Sequence, residues 1–220
     1  MNYAKLKLMK DILNFLIELG ELKKMPRRGW VLRGIKNPET IAAHTFRMTM
    51  MSWVLCYKKK LNLDKVLKMC LIHDICEVHA GDATPYDNIF SEDKKQWEKT
   101  LDKWPRFSKK QKERFFLKKY KKEHSGLKKL IVNLPSDIKR EIYCLWDDYE
   151  KGLTPEGKFV RQLDRMENLL QALEYWKGKK KFAIGPWWVQ IEELIDEPVL
   201  LEFLAALDKK FHSKFKNEKN

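Results

Sequence analysis

DKVLKMCLIHDICEVH, residues 64–79, decides how this chain is read. Val66, Leu67, Met69, Cys70, Leu71, Ile72, Ile75, Cys76 and Val78 leave no wide polar face, so the pattern predicts a buried helix from Asp64 to about His79. Ionisable groups inside such a helix are costly unless paired or bound to a cation. His73, Asp74 and Glu77 nevertheless sit there, with His79 near the end. Glu77 follows Asp74 by three positions and His73 by four, which puts it on their face. An imidazole and two carboxylates thus gather around one point.

Working outward, nearly every patterned segment has helical period. Leu6, Met9, Leu13, Leu16 and Ile17 mark one apolar face of an N-terminal helix, with Gly20 as its stop. Asn37-Pro38-Glu39 reads as a cap, a first-turn proline and an acidic residue opening a helix to about Tyr57. Residues 92–125 are dense in lysine with scattered Trp and Phe, broken at Pro105, and predict a basic helical hairpin. Ser136 is placed to cap a helix ending near Gly152, and Thr154-Pro155-Glu156 repeats the start signal for a long helix to about Trp176. Two short helices separated near Pro198 close the chain, and the basic tail, 212–220, is expected to fray. No strand-like alternation stands out, so the expected fold is all-α, one domain over 1–220 with an inserted element.

The chain has 220 residues, 44% of them hydrophobic, enough for a core. Its formal net charge of +14 suits anionic partners: nucleic acid, acidic lipid or a phosphorylated substrate. A lysine coat kept for solubility accounts for the same number. Cys56, Cys70, Cys76 and Cys144 form no CxxC pair and read as small core residues in a reducing compartment. The N-terminus lacks the features of a signal peptide, and no apolar run approaches the ~20 residues of a membrane span. A soluble, cytoplasmic protein is expected.

Two more ionisable residues lie on apolar helix faces. His44 is flanked by Ile41, Met48 and Met51; Asp164 lies between Phe159, Val160, Leu163 and Leu169. A lone buried histidine is usually just hydrogen-bonded, and Asp164 has Arg161 and Arg165 within reach. Together, however, His44, His73, Asp74 and Asp164 form a mixed nitrogen–oxygen set. It suits one divalent transition metal, Mn, Fe, Co, Ni or Zn, better than calcium.

Three stretches carry a resemblance: PETIAAHTFRMTMMSW (38–53), LIHDICEVHAGDATPYDNI (71–89) and KFVRQLDRMENLLQALEYW (158–176). RRGWVLRGI (27–35) and LWDDYEKGLTPEG (145–157) add to it. The chain resembles the HD-domain 5′-deoxynucleotidase family of metal-dependent phosphohydrolases. The resemblance implies a helical bundle, a homodimer, and metal ligands His44, His73, Asp74 and Asp164. It implies that Glu77 and Asp82 assist attack of a metal-bound water on the 5′-phosphorus of a nucleoside monophosphate. The family also carries an arginine and a tryptophan before its first metal histidine. Arg27, Arg28, Trp30 and Arg33 occupy that region, and Arg33, Trp30 and Arg28 are the expected substrate contacts. Two departures stand out: Ala43 where the family often has an acidic residue, and the element at 92–125.

Other readings remain open at this level. The substrate could be a cyclic nucleotide, a nucleoside triphosphate or an alarmone, since all are anions. Basic residues interleaved with Trp97, Trp104, Phe107, Phe115 and Phe116 suit a nucleic-acid-binding module. The spacing of Phe115, Phe116 and Leu117 favours an amphipathic helix packed on the domain instead.

Overall fold

The computed structural model describes residues 3–57, 59–84, 87, 107–176 and 184–217. Among these the chain is helical, with a single isolated antiparallel bridge between Pro26 and Thr40. The helices are α1 (Tyr3–Leu19), α2 (Arg28–Leu32), α3 (Ile41–Leu55), α4 (Leu63–Ile72), α5 (Glu77–Ala80), α6 (Lys109–Leu130), α7 (Ser136–Lys151), α8 (Pro155–Trp176), α9 (Gly185–Leu194) and α10 (Pro198–Asn217).

α8 is the axis of the fold. It packs against α3, α4, α7, α9 and α10. Its start is as the sequence predicts: the Thr154 hydroxyl accepts from the Gly157 N–H (3.2 Å), and Pro155 takes the first turn. Phe159, Val160, Leu163, Met166 and Leu169 bury its apolar faces against Met48, Val66, Met69 and Tyr149. Each such side chain contributes about 1.5–3 kcal/mol when fully buried. A second cluster joins Ile41, Ile75, Cys76, Leu127, Leu130 and Trp146 where α6 crosses α5.

Several sequence expectations change. The helix expected over 64–79 is two helices joined by the turn His73–Cys76. Hydrogen bonds there skip one residue fewer than in an α-helix: Ile75 N–H to Ile72 O (3.3 Å), Glu77 N–H to Asp74 O (3.0 Å). The tightening falls on the His-Asp pair. α3 begins at Ile41, capped by Thr40 (3.2 Å to the Ala43 N–H), not at Asn37. Glu39 is held extended instead, its carbonyl accepting from Arg27 N–H (2.9 Å) and its N–H donating to the Tyr175 hydroxyl (2.7 Å). In α1 the stripe Leu6, Met9, Leu13, Leu16, Ile17 is exposed, and Ile12, Phe15 and Leu19 make the packing contacts. α1 ends at Leu19, just before Gly20 as expected, and the chain then tightens into a 3-10 turn over Gly20–Lys23.

Cys56, Cys70 and Cys76 are buried and free, whereas Cys144 is free but exposed, so it is not a core residue. Part of the element expected at 92–125 lies outside the described residues. Its second half is α6, opened by a reciprocal Ser108–Gln111 capping box and continuing to Leu130, with Gly126, Leu127 and Leu130 buried. The last helix is longer than expected and runs through Asn217, into the tail expected to fray.

At the α6–α5 crossing a Cβ on Gly126 would lie 2.7 Å from the Cys76 carbonyl oxygen and 3.2 Å from the Ala80 nitrogen. Gly126→Ala should therefore destabilise the fold by about 1–3 kcal/mol, despite alanine's better helix propensity. A thermal midpoint several degrees lower is expected; an unchanged or raised midpoint would contradict this close approach.

Candidate active site

Two helices and a turn bring the chemistry together. On α3, His44 shares a face with Ile41, Met48 and Met51 and is fully buried. The turn after α4 carries His73 and Asp74, and α8 carries Asp164. His44 Nε2 lies 3.3 Å from His73 Nε2 and 3.3 Å from Asp164 Oδ1. One ligand atom from each of these three residues falls within 4.8 Å of the other two. Asp74 faces the same point: its Oδ2 is 3.1 Å from His73 Nε2, while also accepting from Arg27 Nη1 at 2.8 Å.

The remaining atoms of these groups are spoken for. His73 Nδ1 donates to the Cys70 carbonyl (2.7 Å), and His44 Nδ1 donates to Glu167. Asp164 Oδ2 accepts from the Tyr149 hydroxyl (3.1 Å), and Oδ1 accepts from Asn168 Nδ2 (3.0 Å). Both imidazoles therefore turn Nε2 inward, fixed by a partner on the other nitrogen, as in metal-ligating histidines. The 3.3 Å separations match ligand atoms sharing one ion, since bonds of about 2.0–2.1 Å leave neighbouring ligands about 3 Å apart. His44, His73 and Asp164 therefore fit a single divalent transition metal, with the Asp74 carboxylate beside His73. A second set, Glu39, His44 and Glu167, shares His44, but its acids already hold Trp30 and Arg47.

Electrostatics follow from this crowding. Burial and Arg27 press His44 towards its neutral form, but Glu167 and Asp164 outweigh them and raise it to about 9. Burial opposes ionisation of Asp74, yet His73, Arg27 and His44 hold it well below the usual carboxylate range. Asp164 is depressed likewise by His44, Arg165 and Arg27. Glu77 goes the other way: burial, then Asp74 and Asp82, push its carboxyl well above the usual range. Glu77 is 2% exposed and its Oε2 has no hydrogen-bond partner, a buried acceptor facing a need.

A cavity of about 740 Å³ opens over this cluster, a size that suits a small ligand. Asp74, Glu77, Asp82 and Asp164 line it, with Arg27, Trp30 and Arg33. Gly81, at φ 70°, turns the chain back so that Asp82 Oδ2 accepts from the Arg28 N–H (2.6 Å). Arg28 itself lies off the cavity wall and ties Asp87 (3.0 Å). Trp30 is only 1% exposed; its Nε1 donates to Glu39 (2.9 Å) and its ring stacks on Trp187 at 5.1 Å. The Arg33 guanidinium sits 4.9 Å from the Trp187 ring.

Sequence reasoning passed over several residues here. Arg27, not favoured among the four candidates, reaches deepest, bonding Asp74 and Asn168 (2.9 Å). Glu167, Asn168 and Gln171 extend a polar stripe from Asp164 along α8, and Arg47 bridges Glu167 (2.7 Å), Gln171 (2.6 Å) and Glu174 (2.6 Å). The signal was present: polar residues three, four and seven positions after Asp164, inside an otherwise apolar helix. Trp187 and Lys119 also line the cavity.

Known proteins resemble this chain over most of its length. A family model described as "HD domain" matches residues 19–190. The 5′-deoxynucleotidase HDDC2 of Xenopus laevis is 36% identical over 172 residues, 78% of this chain and 73% of that protein. The human protein of the same name is 35% identical over 166 residues, covering 76% and 69%. The 5′-deoxynucleotidase hdd1 of Schizosaccharomyces pombe is 31% identical over 208 residues, 93% and 90%. Among solved structures, one described as a predicted metal-dependent phosphohydrolase, from Magnetospirillum magnetotacticum, superposes with a TM-score of 0.63 at 23% identity. It covers 94% of each chain and shows the shared fold.

Glu167→Gln should weaken divalent-metal binding about 10–100-fold, because the His44 ring loses the carboxylate that orients it. Metal titration followed by calorimetry measures this. Wild-type affinity in a variant of unchanged helicity would mean that Glu167 has no part in holding His44.

Proposed function

The chain belongs to the HD domain family, and from that premise we propose that it is a metal-dependent phosphohydrolase that removes the 5′-phosphate from deoxynucleoside monophosphates. The observation that carries this reading is the convergence of His44, His73 and Asp164 beneath the cavity, beside the buried Glu77. His44, His73, Asp74 and Asp164 would hold one divalent transition-metal ion. When bound, such an ion neutralises phosphate charge and supplies a water acidified towards neutral pH.

The chain's own groups then divide the work. Glu77 takes a proton from the attacking water. Without added positive charge, burial beside Asp74 and Asp82 keeps its carboxyl above the usual range, so cationic charge at the site restores the carboxylate that can act as base. Arg27, already planar against Asp74 and Asn168, has the fork geometry that binds a phosphate through two hydrogen bonds. Arg33 and the Trp30–Trp187 stack supply the cavity's second wall for sugar and base. Asp82, fixed by the Arg28 N–H, serves the leaving-oxygen side of the sugar.

The polyanion-binding reading loses support at α6, where Lys112, Phe116 and Lys119 line this cavity. Among the described residues no helix is long and apolar enough to cross a membrane.

Phosphate release should be measured across deoxy- and ribonucleoside monophosphates, wild type beside Glu77→Gln. The variant should lose about 10²–10⁴ in kcat while keeping its metal. Wild-type turnover in Glu77→Gln would remove Glu77 as the base, and no release by metal-loaded wild type would overturn the reaction.

We also infer a homodimer. Phe46, Met50, Trp53 and Val54 fall on one face of α3 with Tyr57 just past its end, and Phe46 and Tyr57 are 69% and 75% exposed. An apolar face of that kind marks an interface, and the family resemblance supplies a second copy as its occupant. Light scattering should give twice the chain mass for wild type and the single mass for Trp53→Glu; a monomeric wild type would contradict the inference.

A further inference from the structure

The cavity wall opposite α8 is made by α6. Lys112, Phe116 and Lys119 stand four and three positions apart, on one helical face, and all three line the cavity. One turn further, Glu123 is 2% exposed. The Lys119 ammonium meets Glu123 Oε1 at 2.9 Å; its own side chain is 35% exposed and that of Glu123 only 2%. Glu123 Oε2 is buried with no hydrogen-bond partner. The ammonium is therefore tethered from inside the protein and open towards the cavity.

An ordinary pair of this spacing on a helix surface contributes about 0.3–0.5 kcal/mol and has no further meaning. This pair differs in its surroundings. Burial works against the charge on Lys119, but Glu123, Glu150, Asp74 and Glu77 more than offset it and keep the ammonium protonated. Asp74, Glu77, Asp82, Glu150 and Asp164 set five carboxyl groups into the floor and walls of the cavity. A phosphomonoester dianion entering such a floor needs fixed cations. Arg27 is one, and it is engaged with Asp74 and Asn168 from the α2 side. Lys119 lines the same cavity from α6, with Lys112 on the same helical face, and its charge acts on the Glu77 carboxyl that the reaction uses.

We propose that Lys119 is a phosphate-contacting residue, its ammonium pairing with the phosphoryl group of substrate and of the inorganic phosphate product. The proposal rests on the phosphohydrolase reading above. It also gives α6 a role in the reaction rather than on the surface. A lysine is apt here: it is a compact point charge that can follow the phosphoryl oxygens as the bond to the leaving oxygen lengthens.

Inorganic phosphate and a deoxynucleoside would be titrated separately into metal-loaded protein by calorimetry. Wild type would be compared with Lys119→Met, Lys119→Arg and the double variant Lys119→Met/Glu123→Gln, in which no buried carboxylate is left without its partner. Phosphate affinity should fall about tenfold or more in both methionine variants and recover in part with arginine. Deoxynucleoside affinity should stay within about twofold of wild type in all of them. Equal phosphate affinity in wild type and the double variant would overturn the proposal, as would parallel loss of both ligands, which marks a structural role. Wild-type protein that binds phosphate but hydrolyses no nucleotide would instead overturn the reaction while leaving Lys119 supported.

Discussion

The buried polar stripe of α8 is the constraint from which the rest of the molecule follows. Asp164, Glu167, Asn168 and Gln171 are all at most 8% exposed, beside the apolar core positions of the same helix. Buried carboxylates and amides are tolerable only with partners. Their partners are Arg27 from the loop before α2, and His44 and Arg47 from α3. Satisfying the stripe thus fixes how α3 lies on α8 and where the Arg27 loop ends. His44 is caught between Glu167 on one nitrogen and Asp164 at 3.3 Å on the other. The site is a by-product of the packing only in one direction: without the site, apolar residues at these positions would stabilise the same crossing at lower cost.

The second constraint is backbone, not side chain. The pairing of Pro26–Arg27 with Glu39–Thr40 clamps the segment before α2 to the segment before α3. Arg27 is thereby aimed at Asp74 from a short extended strap. On the other side, Gly126 lets α6 sit against the Cys76 carbonyl, which sets the distance of the Lys112–Phe116–Lys119 face from the His-Asp turn. Two of the elements that wall the cavity are therefore positioned by close backbone contacts.

Much of this could be read from residues alone, and the failures have physical causes. The apolar wrap of residues 64–79 announced a buried segment bearing charges, and Thr154-Pro155-Glu156 announced the start of α8. Asn37-Pro38-Glu39 carries the same local signal, yet its backbone groups are used by Arg27 and Tyr175, so the helix waits for Thr40. The α1 stripe misled because that helix has two apolar stripes, and the one with Ile12, Phe15 and Leu19 meets the core. The break at His73–Cys76 has no proline or glycine to mark it. Among the arginines in and around α2, composition could not choose; the choice of Arg27 comes from the strap, a long-range pairing that no local pattern encodes.

The central claim is that two histidines and two aspartates, brought together from α3, α8 and the turn between α4 and α5, form one metal-dependent hydrolytic site. Its most direct test is phosphate release from a deoxynucleoside monophosphate before chelation, after chelation, and after return of Mn, Fe, Co, Ni or Zn singly, in wild type and His73→Ala. Activity lost with the metal, regained with at least one of these ions, and never regained by a folded His73→Ala protein is the predicted result. Release that survives complete metal removal, or that returns equally in His73→Ala, would contradict the account.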